Sequence, residues 1–229
     1  NNFFVLTPRD IKAANLSDSE VVPCISKSSQ VHSIVFTTSD LNELISRNAP
    51  VFLLNVSRNP SHQAVLYIKQ GEAQKVHHRY LTRTRKPWYR IESRSPAPIW
   101  FGVFSRNRYK VVRNYSNALH LTCFHGFYPN LFGAQFIDHI FLYLISSIGR
   151  KILRMNIRKY GDSLDKFEPN DLNNALVPSP EWFLTVPLEE ISQEIENLKI
   201  SNTLSTKTET LFESLFYESQ KEKHLSLEV

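Results

Sequence analysis

Ile137-Asp138-His139-Ile140-Phe141-Leu142-Tyr143-Leu144-Ile145-Ser146-Ser147-Ile148 is the stretch on which the fold turns. Ile137, Ile140, Phe141, Leu144, Ile145 and Ile148, continued by Ile152, recur at intervals of three and four residues. That is the period of one helix face, so a long helix is predicted over about 135–158, after Gly133. Arg150, Lys151, Arg154, Arg158 and Lys159 crowd its end, where positive charge suits the helix dipole. It is the longest apolar run in the chain. It falls short of the roughly 18 apolar residues that a membrane span requires, so no membrane partner is expected.

Upstream the pattern is different. Trp88–Ile91, Ile99–Phe104, Tyr109–Val112 and Ala118–Phe124 read as short strands, with turns at Ser93–Pro98 and Ser105–Asn107. Nearer the start, Phe3–Leu6 reads as a strand. Thr7 then caps a helix with Pro8 in its first position, ending near Asn15. Ile34–Thr37 reads as a strand, and Ser39 is expected to cap a helix carrying Leu41, Leu44 and Ile45. Pro50 breaks that helix, and Val51–Val56 reads as a buried strand followed by a turn-rich connection to His62. Downstream, Tyr160–Pro180 reads as a loop. Pro187 opens a helix with Leu188, Ile191, Ile195 and Leu198 on one face. Thr206 or Thr208 opens another with Leu211, Phe212, Leu215 and Phe216. Strands gathered in the middle and helices around them make an α+β protein.

The 229 residues, 41% hydrophobic and 12% aromatic, suffice for a packed core. Two Cys cannot staple a secreted scaffold and suggest a reducing compartment. The first residues, Asn1-Asn2-Phe3-Phe4, have no basic region of a signal peptide. The only Met is Met155, so the chain is expected to be a piece of something longer.

The net charge of +5 is unevenly distributed. Lys75–Arg113 holds 11 basic residues against the single acid Glu92, a local charge of +10. From Tyr160 onward 14 acids outnumber 5 bases. A basic zone in an otherwise acidic chain is the footprint of a polyanion partner, or else a solvated charged face.

Motifs for other chemistries are missing. Gly71 is the only Gly of the first hundred residues, so neither a dinucleotide turn nor a phosphate loop is supported. No Asn-Pro-Pro-Tyr or Asp-Pro-Pro-Tyr occurs. Asp10-Ile11-Lys12 is a poor basis for a nuclease, and Cys24, Cys123 and the eight His lack paired metal spacing. No catalytic or metal residue is therefore assigned.

Tyr80-Leu81-Thr82-Arg83-Thr84-Arg85-Lys86-Pro87-Trp88-Tyr89-Arg90 mixes four cations with three large aromatics. Guanidinium groups pair with phosphates or guanine edges, aromatics stack on distorted bases, and Thr82 and Thr84 are candidate phosphate donors. Trp88 and Trp100 have a plainer reading as core anchors. The expected DNA contacts are Arg83, Arg85, Lys86, Arg90, Arg106, Arg108, Lys110, Arg113 and Asn114, with Trp88 and Tyr89 packing the loop or wedging near a flipped base. Asn114 and Asn117 can also read adenine edges, or serve simply as turn residues.

Several blocks together resemble the region after the catalytic domain in bacterial type II restriction–modification N6-adenine-specific DNA methyltransferases. Asn2-Phe3-Phe4-Val5-Leu6 resembles the opening "N-K-F-F" of that region, with Asn2 in the place of Lys. Val22-Pro23-Cys24-Ile25-Ser26 resembles "P-I-I-S", and Arg85-Lys86-Pro87-Trp88-Tyr89 resembles "R-x-P-W-Y". Arg113-Asn114-Tyr115-Ser116-Asn117-Ala118-Leu119-His120 resembles the "N-x-A" strand. The stretch from Arg158 to Asn173 resembles "R-x-Y-G-x-G-L-x-K-F-E-P-N-D-L-N", with Ser163 replacing the second Gly. Gly133-Ala134-Gln135 stands near the place of the family's "L-N-S".

The resemblance implies a target-recognition region that reads double-stranded DNA. The S-adenosylmethionine site and the Asn-Pro-Pro-Tyr motif would lie in an N-terminal catalytic domain absent from this chain. The chain alone is then expected to be inactive, with no cofactor of its own and with that domain as partner, in the bacterial cytoplasm at the nucleoid. Residues 1–180 would form the recognition domain, with a basic strand-rich segment at 75–125, and 181–229 an acidic helical extension packed on it. Alternatives are the recognition part of a fused endonuclease–methyltransferase, a non-catalytic nucleic-acid-binding subunit, or a structural domain meeting an acidic protein.

Overall fold

A computed structural model describes residues 3–57, 59–105, 109–155, 158–160, 164–174 and 177–225. It is α+β, with two compact units. Unit 1 comprises Asn1–Val31, Thr37–Pro96 and Ser116–Leu121; unit 2 comprises His32–Phe36, Ala97–Tyr115 and Thr122–Val229. The expected recognition segment 1–180 contributes to both.

Unit 1 is built on a four-stranded sheet in the order Val5–Leu6, Phe52–Leu54, Val21–Ile25, Leu119–His120. The first three strands pair antiparallel, and Leu119–His120 lies parallel to Cys24–Ile25. The helix Pro8–Ala14 starts where expected: the Thr7 hydroxyl accepts from Asp10 N–H, and the Asp10 carboxylate accepts from Thr7 N–H. Asn15 ends it in the left-handed conformation, which a short amide side chain tolerates. The next helix, Thr38–Ser46, is capped by Thr37 and not by Ser39, because Asp40 completes the reciprocal pair with Thr37. The sequence reading missed the helix His62–Ala73, capped by Ser61. Its buried Ala64, Ile68 and Gly71 form too small an apolar face to stand out. Gly71 is used for close packing, since a Cβ there would collide with the rings of Phe3 and Trp88.

Unit 2 carries a four-stranded sheet in the order Val35–Phe36, Val111–Asn114, Ile99–Gly102, Phe124–Phe127. Its inner side is covered by the apolar run 137–148, whose Ile140, Phe141, Leu144, Ile145 and Ile148 share a core with Val35, Ile99, Phe101 and Val111. That run forms two helices, Ile137–Ile145 and Ser147–Arg154, where one long helix was predicted. Ser146 takes extended backbone, closes the first helix and caps the second through Gly149 N–H. The two helices meet so closely that a Cβ on Gly149 would overlap the Tyr143 carbonyl.

The segment 160–180, read as a loop, contains more structure. Arg158–Tyr160 pairs antiparallel with Leu164–Lys166, which in turn pairs with Phe104–Ser105. A helix follows at Pro169–Asn173 and another at Pro180–Leu184. The helices Leu188–Ser201 and Thr206–Leu225 complete the unit. Ile191, Ile195, Leu198 and Phe212 are buried in its core, while Leu188, predicted to face inward, is exposed. Asn202, left-handed at the end of Leu188–Ser201, accepts from Ile34 N–H and so holds the edge of the sheet.

Candidate nucleic-acid interface

The basic stretch predicted to be strand-rich contains no strand between Lys75 and Pro98. A single 3-10 turn, Val76–His78, leads into successive turns, and Trp88–Ile91 is irregular. The reason lies in the spacing of its anchors. Val76 and Thr82 are buried, and the Thr82 hydroxyl donates to the carbonyls of Val76 and Arg79. Backbone bonds from Thr82 N–H and Arg83 N–H to Arg79 O, and from Arg85 N–H to Thr82 O, fold the chain back on itself. Thr82 is therefore a structural pin and not the phosphate donor suggested by its sequence context. Thr84 remains exposed.

Around this pin the cations point outward. Arg83, Arg85, Lys86 and Arg90 are all exposed, as are Lys75 and Arg79. No carboxylate occurs between Lys75 and Arg90. The Arg83 guanidinium lies 5.1 Å from the centre of the Tyr80 ring, and that of Arg85 lies 5.8 Å from the Phe4 ring. The Lys86–Pro87 peptide is cis.

Trp88 and Tyr89 are half-buried against the unit 1 core. Trp88 contacts the rings of Phe3, Phe4, His77 and Tyr89, and its indole N–H donates to Glu72 at 3.2 Å. These contacts fix the loop to the body of the unit. Trp100 is a core residue, wholly buried between Phe36 and Phe124.

In unit 2 the expected contacts divide differently. Arg106 and Arg108 lie outside the described residues. Lys110 is half-buried, and loss of solvent lowers its ammonium pKa. Arg113 is turned inward, its side chain only 9% exposed. Its guanidinium donates to Asp138 at 2.6 Å and to the Pro98 and Asn114 carbonyls, and it stacks 4.2 Å from the Tyr115 ring. Tyr115 donates to the same Asp138 oxygen at 2.8 Å. Burial, with this hydrogen bond and the neighbouring carboxylate, pushes the Tyr115 phenol far up. Asn114 is buried, and its amide donates to the Ala97 carbonyl. Arg113 and Asn114 thus hold the strand Val111–Asn114 against its neighbours; their side chains are engaged inside the unit. Asn117 is exposed.

The late family-like block serves packing where it is described. Phe167 is buried among Phe101 and Tyr109, and the Phe167 carbonyl contacts His125 Nε2 at 3.0 Å. Among the described residues no group of three or more His, Cys, Asp or Glu could hold a metal ion. No described helix is long and apolar enough to cross a membrane.

Comparison with known proteins gives the family of the chain. The model of the type II methyltransferase M.Eco57I C-terminal domain matches residues 1–212. The chain belongs to that family: it is a C-terminal region of a type II restriction–modification methyltransferase. It is 35% identical over 179 residues to the type II methyltransferase M.AccI of Acinetobacter calcoaceticus, covering 77% of this chain and 33% of that protein. It is also 28% identical over 102 residues to the type II methyltransferase M.XamI of Xanthomonas campestris pv. amaranthicola, covering 44% and 19%. The chain thus spans about a third or less of these relatives. A solved structure of the type IIG restriction endonuclease BpuSI superposes with a TM-score of 0.48 at 12% identity, over 83% of this chain and 22% of that one.

Proposed function

We propose that this chain is the target-recognition region of an adenine-N6-specific DNA methyltransferase and grips double-stranded DNA through the exposed cations of unit 1. The observation that carries this reading is the turn Lys75–Arg90, six cations without a carboxylate, anchored on its buried side by Val76 and Thr82. Such a surface suits the evenly spaced phosphates of a duplex. Arg83, Arg85, Lys86 and Arg90 make the contacts, and Trp88 and Tyr89 support the loop that bears them. Arg113 and Asn114 support a strand. Residues 1–180 act as the recognition domain and 181–229 as its helical extension.

Adenine N6 is hidden in the duplex, so the methylated base must leave the stack while the flanks stay held. The six glycines of the chain stand apart in the sequence and form no glycine-rich turn of the kind that cradles a nucleotide. The cofactor and methyl transfer are assigned to the N-terminal catalytic domain of the full-length protein. The working place is then the bacterial cytoplasm, at the nucleoid.

Two measurements test the proposal. With about five phosphates neutralised, log K for a duplex should fall against log salt with a slope of about −4.5. Arg83→Ala, Arg85→Ala and Lys86→Ala together should reduce that slope by about 3. A flat salt dependence for the unaltered chain would overturn the DNA-facing assignment. For the whole protein, transfer of a labelled methyl group should yield N6-methyladenine. A methylated cytosine instead would refute the adenine assignment.

A further inference from the structure

The apex of the basic turn is apolar. The Thr82 N–H to Arg79 O bond at 3.0 Å closes a four-residue turn with Tyr80 and Leu81 as its two central residues. Tyr80 is 75% exposed and Leu81 66%. They are adjacent and stand between exposed Arg79 and exposed Arg83. Ordinarily a turn tip is polar, since solvent faces it on most sides.

Three features suit this pair to entering a base stack. First, the tip is held from below: Thr82 is 1% exposed and its hydroxyl ties the turn to Val76 and Arg79. Little further order is lost when a tip so fixed meets a ligand. Second, the ring is already oriented, with the Arg83 guanidinium beside it. Third, the stretch Lys75–Arg90 that bears the tip carries six cations and no carboxylate, which directs the tip at a polyanion and disfavours a cationic protein surface. The aromatics that sequence reasoning offered for this task, Trp88 and Tyr89, are instead packed on the unit 1 core.

We infer that Tyr80 and Leu81 form a wedge that inserts into the duplex and unstacks a base step, while the flanking cations hold the phosphates on either side. Apolar side chains used in this way open a step at a cost of a few kcal/mol, recovered through closer contact with the backbone. The inference rests on the proposed DNA binding and adds a residue-level role for the tip.

The test uses the 229-residue chain and two fluorescently labelled duplexes of the same sequence, one continuous and one with a central abasic position. The abasic duplex is already unstacked, so a wedge binds it more tightly, by about tenfold if half the unstacking cost is relieved. Tyr80→Ser with Leu81→Ser should bind both duplexes equally while keeping the salt dependence of the unaltered chain. Both side chains are exposed, so the fold should survive, and an unchanged thermal melt checks this. If the unaltered chain binds with salt dependence but without preference for the abasic duplex, or if the double variant keeps the preference, the wedge is refuted and the DNA reading stands. If the unaltered chain binds neither duplex, both fall, and the tip is left as a protein-docking surface.

Discussion

Two arginines of the same basic segment should respond oppositely to removal. Arg113 is enclosed by Asp138, Tyr115 and two carbonyls, so Arg113→Ala strands a partly buried carboxylate. It should cost about 2–3 kcal/mol in denaturant unfolding. Arg83 is exposed, and Arg83→Ala should leave stability within about 0.5 kcal/mol while weakening duplex binding. Equal stability losses would contradict the inward placement of Arg113. Glu20 provides the pH-dependent counterpart. It is buried, and burial alone would raise its pKa. Hydrogen bonds from Ser17 and Ser61 outweigh that and hold it below its ordinary value of 4.5. A depressed carboxyl stabilises the fold above its unfolded value and loses that contribution as pH falls through the folded one. Glu20→Gln should therefore flatten the loss of stability below about pH 4.5 in acid titration. A parallel curve would exclude Glu20 as a contributor.

At the scale of elements, the break at Ser146 is the most exacting feature. Gly149→Ala would drive a methyl group into the Tyr143 carbonyl, at an expected cost of about 2–3 kcal/mol, read from chemical denaturation. A neutral substitution would mean that the two helices need not approach so closely. This break also shows what sequence could and could not reveal. Ile140, Phe141, Leu144, Ile145 and Ile148 were legible as core because all lie on one helical period, and all are buried. The interruption was not legible, because Ser within an apolar run is compatible with helix, and the close approach of Gly149 to the Tyr143 carbonyl exists only in three dimensions. Similarly, the capping pair Thr7 and Asp10 signalled its own helix, whereas Ser61 stood before a helix with a weak apolar face. In the candidate interface the cations were legible from composition alone. Which of them point outward depends on partners far along the chain, such as Asp138 for Arg113, and one-dimensional spacing does not encode them.

On the scale of the whole molecule, the +5 net charge conceals the solvent-facing cations of one turn and the acids of the later helices. The chain passes between the units repeatedly, at residues 31–32, 36–37, 96–97, 115–116 and 121–122. Unit 1 therefore depends on a strand supplied late, Leu119–His120, which covers one edge of Val21–Ile25. A fragment ending at Pro96 would expose Cys24 and Ile25, both wholly buried in the full chain. It should lack the cooperative thermal transition of the full chain in circular dichroism. A sharp, reversible melt of that fragment would show that the late strand is dispensable.

The interleaving also bears on heredity. A single crossover between two related genes, wherever it falls, leaves at least one unit assembled from two parents, because neither unit is encoded as a continuous block. Packed surfaces such as Phe3 against Gly71, or Asn202 against Ile34, must then fit partners drawn from different lineages. A single exchange therefore cannot transplant one unit cleanly. Divergence within either unit is left to point substitution, and it meets least resistance at exposed positions such as Leu81 and Thr84.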